Sequence, residues 1–464
     1  MNIVPELIQM IETHSVEQLD IRFTDLLGTW RHITLSARDT LAAAGDVLVP
    51  IDASYVASGQ STEHPTTLLR PVALQRGLDP FCQYATVGAI GELVEPSTRT
   101  THSHDPRGIA GKAEAALRSA GFADQALFAC ELQFFVFDKA VYEQGMHNSR
   151  HEVDSREGVW RRGRDEPDNL GLQIRHGDGY GQSLPFDSMH NLRAEMVQAI
   201  EHIGVEIVCH YRAPASAAQM GIRIRALPLV AAADAVMLAK YAIRNVAARH
   251  GKVACFMAKP ILGDPGSALL IEVQLQSAGR SLFSGRDRLS DSGDRVVGGW
   301  RAHAGALVAL GCPTTNSYRR LGFDEGAPND NLFGFSNHAS MISLNAAGEH
   351  GAHAVLRHAD ASCNPYLALA AIAMAGVDGV RKKIGAGELR DMVSGGGTAT
   401  GTESLPRSLT DSLAALWSDR EFLNIDNVFS ADAIATLMSW KLEMEVRQLE
   451  MRPHPYEFCL YFNS

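Results

Sequence analysis

The chain has no block of lysine and arginine, no cysteine and histidine spacing of a zinc site, and no apolar run long enough to cross a membrane. A formal net charge of −11 reinforces the first absence and argues against a nucleic-acid surface. Paired cysteine spacing is missing too. Cys82, Cys130, Cys209, Cys255, Cys312, Cys363 and Cys459 are scattered, several within apolar runs, as expected for reduced thiols in the cytoplasm. The first twenty residues show an acidic amphipathic pattern rather than a basic patch and apolar core, so no signal peptide is expected. What is present is 464 residues, 45% hydrophobic and 20% charged, enough for a large core and two or more domains. A small molecule or another protein is the expected partner.

Apolar and polar residues alternate over 19–25 and 30–35, and the Leu27-Gly28 turn between them predicts a hairpin. The polar residues 49–54 and 59–64, with Asp52 and His64, read equally as exposed linker or as site. Asp105-Pro106-Arg107-Gly108 marks a boundary ahead of a helix over 109–120. Residues 131–138 read as a buried strand with Glu131 and Gln133 on one face, either a strand mouth in water or part of a site. Residues 142–175 lack apolar periodicity and read as a long excursion. Helices are expected over 188–204 and 229–250, and strands over 205–210, 219–225 and 268–275. The remainder reads as mostly helical, with loops at 312–335 and 357–365. This alternation predicts an α+β fold with a large antiparallel sheet.

Several segments together resemble the glutamine synthetase family over nearly the whole length. They are Asp25-Leu26-Leu27-Gly28, Asp105-Pro106-Arg107, residues 131–138, His250-Gly251 through Lys259-Pro260, Asn316 to Leu321, Asn364-Pro365-Tyr366-Leu367-Ala368 and His454-Pro455-Tyr456-Glu457-Phe458. The resemblance implies an N-terminal β-grasp domain (1–107) and a C-terminal catalytic domain (108–464) whose curved antiparallel sheet forms a funnel. It implies a ring-shaped homo-oligomer in which the loop of one subunit completes the active site of the next. It also implies ATP with magnesium or manganese: ATP converts a carboxylate into an acyl phosphate, which ammonia or an amine displaces.

By position the resemblance gives catalytic roles to Asp52, Glu131, Glu272, Arg320 and Glu325, and substrate contacts to Arg320, Arg357, His210 and Gly266. It makes His338 a nucleotide contact and Glu131 a metal ligand. The chain departs from the family elsewhere. Gln133 replaces a glutamate, and Tyr211 and Gly221 stand where two further glutamates belong. Leu270 replaces a metal-binding histidine, and Val355 the carboxylate of a Glu-x-Arg pair. His338 and Ser343 replace phosphate-binding arginines, Pro265 replaces a pocket asparagine, and Gly326 falls where the flap glutamate belongs, with Glu325 beside it. Arg212, next to a metal position, would oppose a cation. Three functions follow: a repurposed protein acting on an amino-acid-like or amine small molecule without the metal cluster; an ATP-dependent γ-glutamyl amide ligase with rearranged ligands; or a non-catalytic ring or regulatory pseudoenzyme. New ionisable groups at His64, His210, His338 and Glu272 offer acid and base chemistry for the first.

Overall fold

The hairpin expected near the N-terminus forms from β1 (Gln18–Thr24) and β2 (Trp30–Ser36). With β3 (Val49–Asp52), β4 (Thr66–Leu78) and β5 (Thr86–Val94) it makes a five-stranded sheet in the order β2-β1-β5-β4-β3, parallel only between β1 and β5. The computed structural model describes residues 4–42, 47–55, 66–167, 169–284, 289–324, 326–345, 351–387 and 403–464. Leu19, Ile21 and Phe23 pack with Leu69, Val87 and Leu93 against Leu7 and Ile11 of the helix Val4–His14. The alternate residues of β1 face the rest of the chain. Arg22 is buried between Asp20 and Asp79, its guanidinium 4.0 Å from the ring centre of Tyr241 on the helix Leu229–Arg249.

The helix Pro106–Ser119 starts inside the boundary motif, ahead of the expected 109, with Asp105 as N-cap accepting from the Gly108 amide at 2.7 Å. Its second carboxylate oxygen is buried without a partner, and burial pushes the carboxyl up to about 7. Between the ordinary value of 3.8 and about 7 the folded chain therefore holds a proton that the unfolded chain has lost. Stability from this group is greatest at acid pH and falls as pH rises through that window. Urea midpoints measured from pH 4 to 8 are expected to show this slope relative to Asp105→Asn, which keeps the cap and removes the titration; parallel curves would refute it.

The second sheet is built from β6 (Gln125–Phe137), β9 (Ile207–Arg212), β10 (Gln219–Ile224), β11 (Val253–Cys255), β12 (Leu269–Ser277), β13 (Arg280–Ser281), β14 (Phe333–Phe335), β15 (Ile342–Asn345) and β16 (His353–Leu356). Its main path is β14-β15-β16-β12-β6-β10-β9, antiparallel except at β14 and β15. The last three strands lie where mostly helix and loop were expected. Part of the 142–175 excursion is also ordered, as a separate hairpin of β7 (Lys139–Gln144) and β8 (Ser149–Asp154). Phe128, Cys130, Leu132 and Phe134 of β6 point into the main core with the helices His190–His202, Leu229–Arg249 and Pro365–Lys382. The opposite face carries Glu131 and Gln133 ahead of Phe135 and Phe137, which are buried with Ala215 in a separate small apolar cluster. Among the described residues no helix is long and apolar enough to cross a membrane.

Candidate functional site

Alternation along β6 sends Glu131 and Gln133 to the face away from the helices, and strand register supplies their neighbours. Glu131 lies opposite Leu270 of β12 on one side and Arg223 of β10 on the other. Gln133 lies opposite Gly221, and Gly221 opposite Tyr211 of β9. The Tyr211 phenol donates to Glu131 and accepts from Gln133 Nε2 at 3.2 Å, while Gln133 Oε1 accepts from the Ala268 amide at 3.0 Å. A Cβ on Gly221 would lie 2.3 Å from Tyr211 Cζ, so the ring occupies the space into which a side chain at 221 would project. Burial and the Glu131 carboxylate raise the phenol's pKa well above its ordinary value, so the hydroxyl stays a donor. Tyr180 meets this ring edge-on with centres 5.5 Å apart.

Glu272 is on the same face of β12, buried and ion-paired with Arg223 across β6. It also accepts from Gln274 Nε2 at 2.6 Å, and His353 Nδ1 stands 3.8 Å away. Arg357, just beyond β16, donates from Nη1 to His338 Nδ1 at 3.3 Å, and its Nε is buried with no partner. Burial and the charge of Arg320 lower the pKa of its guanidinium, while Glu131 and Tyr211 act in the opposite direction. Glu131, Tyr211, Arg357 and His338 thus form one group, with Glu272 and Arg223 beside it.

The other residues singled out by position lie differently. Arg320 is buried and donates to the carbonyls of His358 at 2.9 Å, Ala359 at 3.3 Å and Arg357 at 2.8 Å, clamping the backbone beside the site. Gly266 is closely packed. Its amide donates to Asp324 at 2.7 Å, and a Cβ would lie 2.4 Å from the Ala258 carbonyl oxygen. His210 alternates with Tyr211 and so turns to the helix side, where it accepts from Arg193 Nε at 3.0 Å. Arg212 turns the same way. It is buried against Glu157 at 2.9 Å and does not oppose a cation on the Glu131 face. Asp52 ends an exposed edge strand, where it accepts from the Ser54 amide at 2.9 Å, and this chain does not bring it to Glu131. Glu325 and His64 lie outside the described residues.

A hard divalent ion requires several anionic oxygens converging on one point. Here Glu131 is held by a phenol, Glu272 by an arginine, and Gln133 and Leu270 supply no charge. Among the described residues no three histidine, cysteine or carboxylate side chains come together to hold an ion, so this donor set does not fit the metal cluster the resemblance implies. Tyr211 and Arg223 are the site residues that motif matching passed over, Tyr211 having been read only as a lost glutamate. Their signal was alternation, which places Tyr211, Gly221 and Arg223 on the Glu131 face once the strands pair.

Residues 103–461 match the family profile described as Glutamine synthetase, catalytic domain. The chain is 35% identical to a glutamine synthetase of Nostoc sp. across 99% of both chains, and 36% identical to one of Streptomyces coelicolor across 98% of both. Its fold is similar to that of a Plasmodium falciparum glutamine synthetase solved by cryo-electron microscopy. The TM-score is 0.87 at 21% identity, over 99% of this chain and 98% of that one.

Proposed function

The chain belongs to the glutamine synthetase family, and from that premise we propose that it binds and acts on an amino-acid-like or amine small molecule without the family's divalent-metal cluster. The observation that carries this reading is the Tyr211 phenol lying over Gly221 and donating to Glu131, with Gln133 behind it. That network puts a neutral hydrogen-bonded ring where the resemblance would place carboxylates. The geometry suits a zwitterion. Arg357, with an unpartnered buried Nε, receives a carboxylate. Glu131 holds or accepts a proton from an ammonium group, and the Tyr211 hydroxyl fixes one of its oxygens.

ATP with magnesium or manganese separates this reading from that of a ligase with rearranged ligands. A ligand present at a hundred times its Kd adds about 2.7 kcal/mol to stability. We expect ATP with either metal to leave the melting temperature nearly unchanged, whereas L-glutamate or an amine analogue raises it without metal. A large metal-dependent rise with ATP would restore the ligase. Binding without turnover of any amine or amino acid offered would leave a regulatory, non-catalytic protein.

The ring-shaped homo-oligomer is part of the same proposal. Asp52 lies at an exposed sheet edge, away from Glu131 in its own chain, and reaches such a site only on a neighbouring subunit. Light scattering should give a mass several times that of one chain, and a stable monomer would remove Asp52 from the site.

A further inference from the structure

Antiparallel pairing puts Val355 of β16 between Ser343 of β15 and Glu272 of β12, and alternation turns all three to the face that carries Glu131, away from the core residues Ile342, Leu344, Ala354 and Leu356. Adjacent strands lie about 4.8 Å apart, so Ser343 and Glu272 stand about 10 Å from one another across Val355. The floor of this gap is apolar, because Val355 stands where the resemblance would place a carboxylate.

Each wall holds a buried polar atom that has no partner. Ser343 is 1% exposed, and its Oγ makes no hydrogen bond. Gln274, 5% exposed, donates from Nε2 to Glu272 Oε1 at 2.6 Å, which leaves its own Oε1 buried and bare. That orientation is fixed, since turning the amide over would set its oxygen against the Glu272 carboxylate. The surrounding groups are already engaged: Glu272 is ion-paired with Arg223, and His353 meets the Gly351 carbonyl at 3.2 Å and Asn345 Nδ2 at 3.3 Å. What is left over is one acceptor and one hydroxyl, beside charges that balance.

On the premise that Arg357 anchors the substrate carboxylate, we propose that this gap receives the far end of the same molecule, an α-amino acid whose side chain ends in a neutral amide, either a carboxamide or a ureido group. Its N–H donates to Gln274 Oε1, and its carbonyl accepts from Ser343 Oγ. A carboxylate brings no N–H for Gln274 and adds negative charge beside Glu272. An ammonium or guanidinium offers Ser343 no acceptor and adds to the charges of Arg223 and Arg357, while an alkyl end leaves both atoms bare. Arg357 is two residues beyond Val355, about 7 Å along the chain, a distance that such a side chain covers.

Calorimetry on the full chain with L-glutamine, L-citrulline, L-glutamate and L-norleucine tests this. The better of the two amides should bind at least about tenfold more tightly than L-glutamate or L-norleucine, the equivalent of about 1.4 kcal/mol. L-Glutamine ahead of L-citrulline marks a carboxamide, and the reverse order a ureido group. Ser343→Ala should close most of the gap between the amides and L-norleucine without lowering the melting temperature, because its hydroxyl has no partner to lose. An unchanged gap in that variant would overturn the proposal. L-Glutamate or L-norleucine binding as tightly as the amides would overturn it while leaving Arg357 as the carboxylate anchor, whereas binding of none of the four would remove both.

Discussion

Arg212→Met is expected to lower unfolding stability by about 3–5 kcal/mol, the cost of leaving one member of a buried ion pair alone. The Arg212 and Glu157 side chains are 1% and 4% exposed. Arg212 also donates to the carbonyls of Ala215 at 2.9 Å and Ser216 at 3.0 Å, and Glu157 accepts from the Ala218 amide at 3.1 Å and the Ser188 hydroxyl at 2.7 Å. The pair therefore ties residues 155–188, including Tyr180, to the turn between β9 and β10. Burial already pushes the Glu157 carboxyl up despite Arg212, so without the arginine it takes up a proton more readily, and the loss shrinks at acid pH. Urea unfolding at pH 5 and 8 checks both points. The double variant Arg212→Met with Glu157→Met should regain part of the loss, because two apolar side chains leave no stranded charge. A single-variant loss below about 1 kcal/mol would mean that the pair is screened like a surface one.

Arg357→Ala is expected to weaken L-glutamate binding by about 1.5–3 kcal/mol, the worth of a charged hydrogen bond, while folding changes little. Among the described residues no carboxylate forms an ion pair with Arg357; His338 accepts from it, while the charge of Arg320 acts against its own and that of Glu131 acts with it. A ligand carboxylate is then its natural counter-ion. Arg320 does not share this role, because three backbone carbonyls already hold its guanidinium. Calorimetry and thermal denaturation of the same variant separate the two effects. Normal binding with reduced stability would make Arg357 a structural residue.

Glu131 and Gln133 were readable as a same-face pair because a strand's side-chain period is fixed at two. The partners were not readable in this way. Tyr211 and Glu131 are 80 residues apart in sequence, and only pairing through β10 brings them together. Alternation within β9 likewise decides that His210 and Arg212 leave the site, but their partners, Arg193 and Glu157, lie on segments whose docking no local pattern announces. The β7–β8 hairpin escaped notice for a different reason. Most of its residues on both faces are exposed, so burial imprinted no alternation on it. β14, β15 and β16 are only three or four residues long, too short for a period to emerge.

The contact between Tyr211 and Gly221 also couples what the two positions can hold. A side chain at 221 and the aromatic ring exclude one another, with a Cβ at 2.3 Å from Cζ. Placing carboxylates at both positions therefore requires removing the ring at 211 before, or together with, adding a side chain at 221. Each residue limits what the other position tolerates, and a substitution at 221 alone meets the ring.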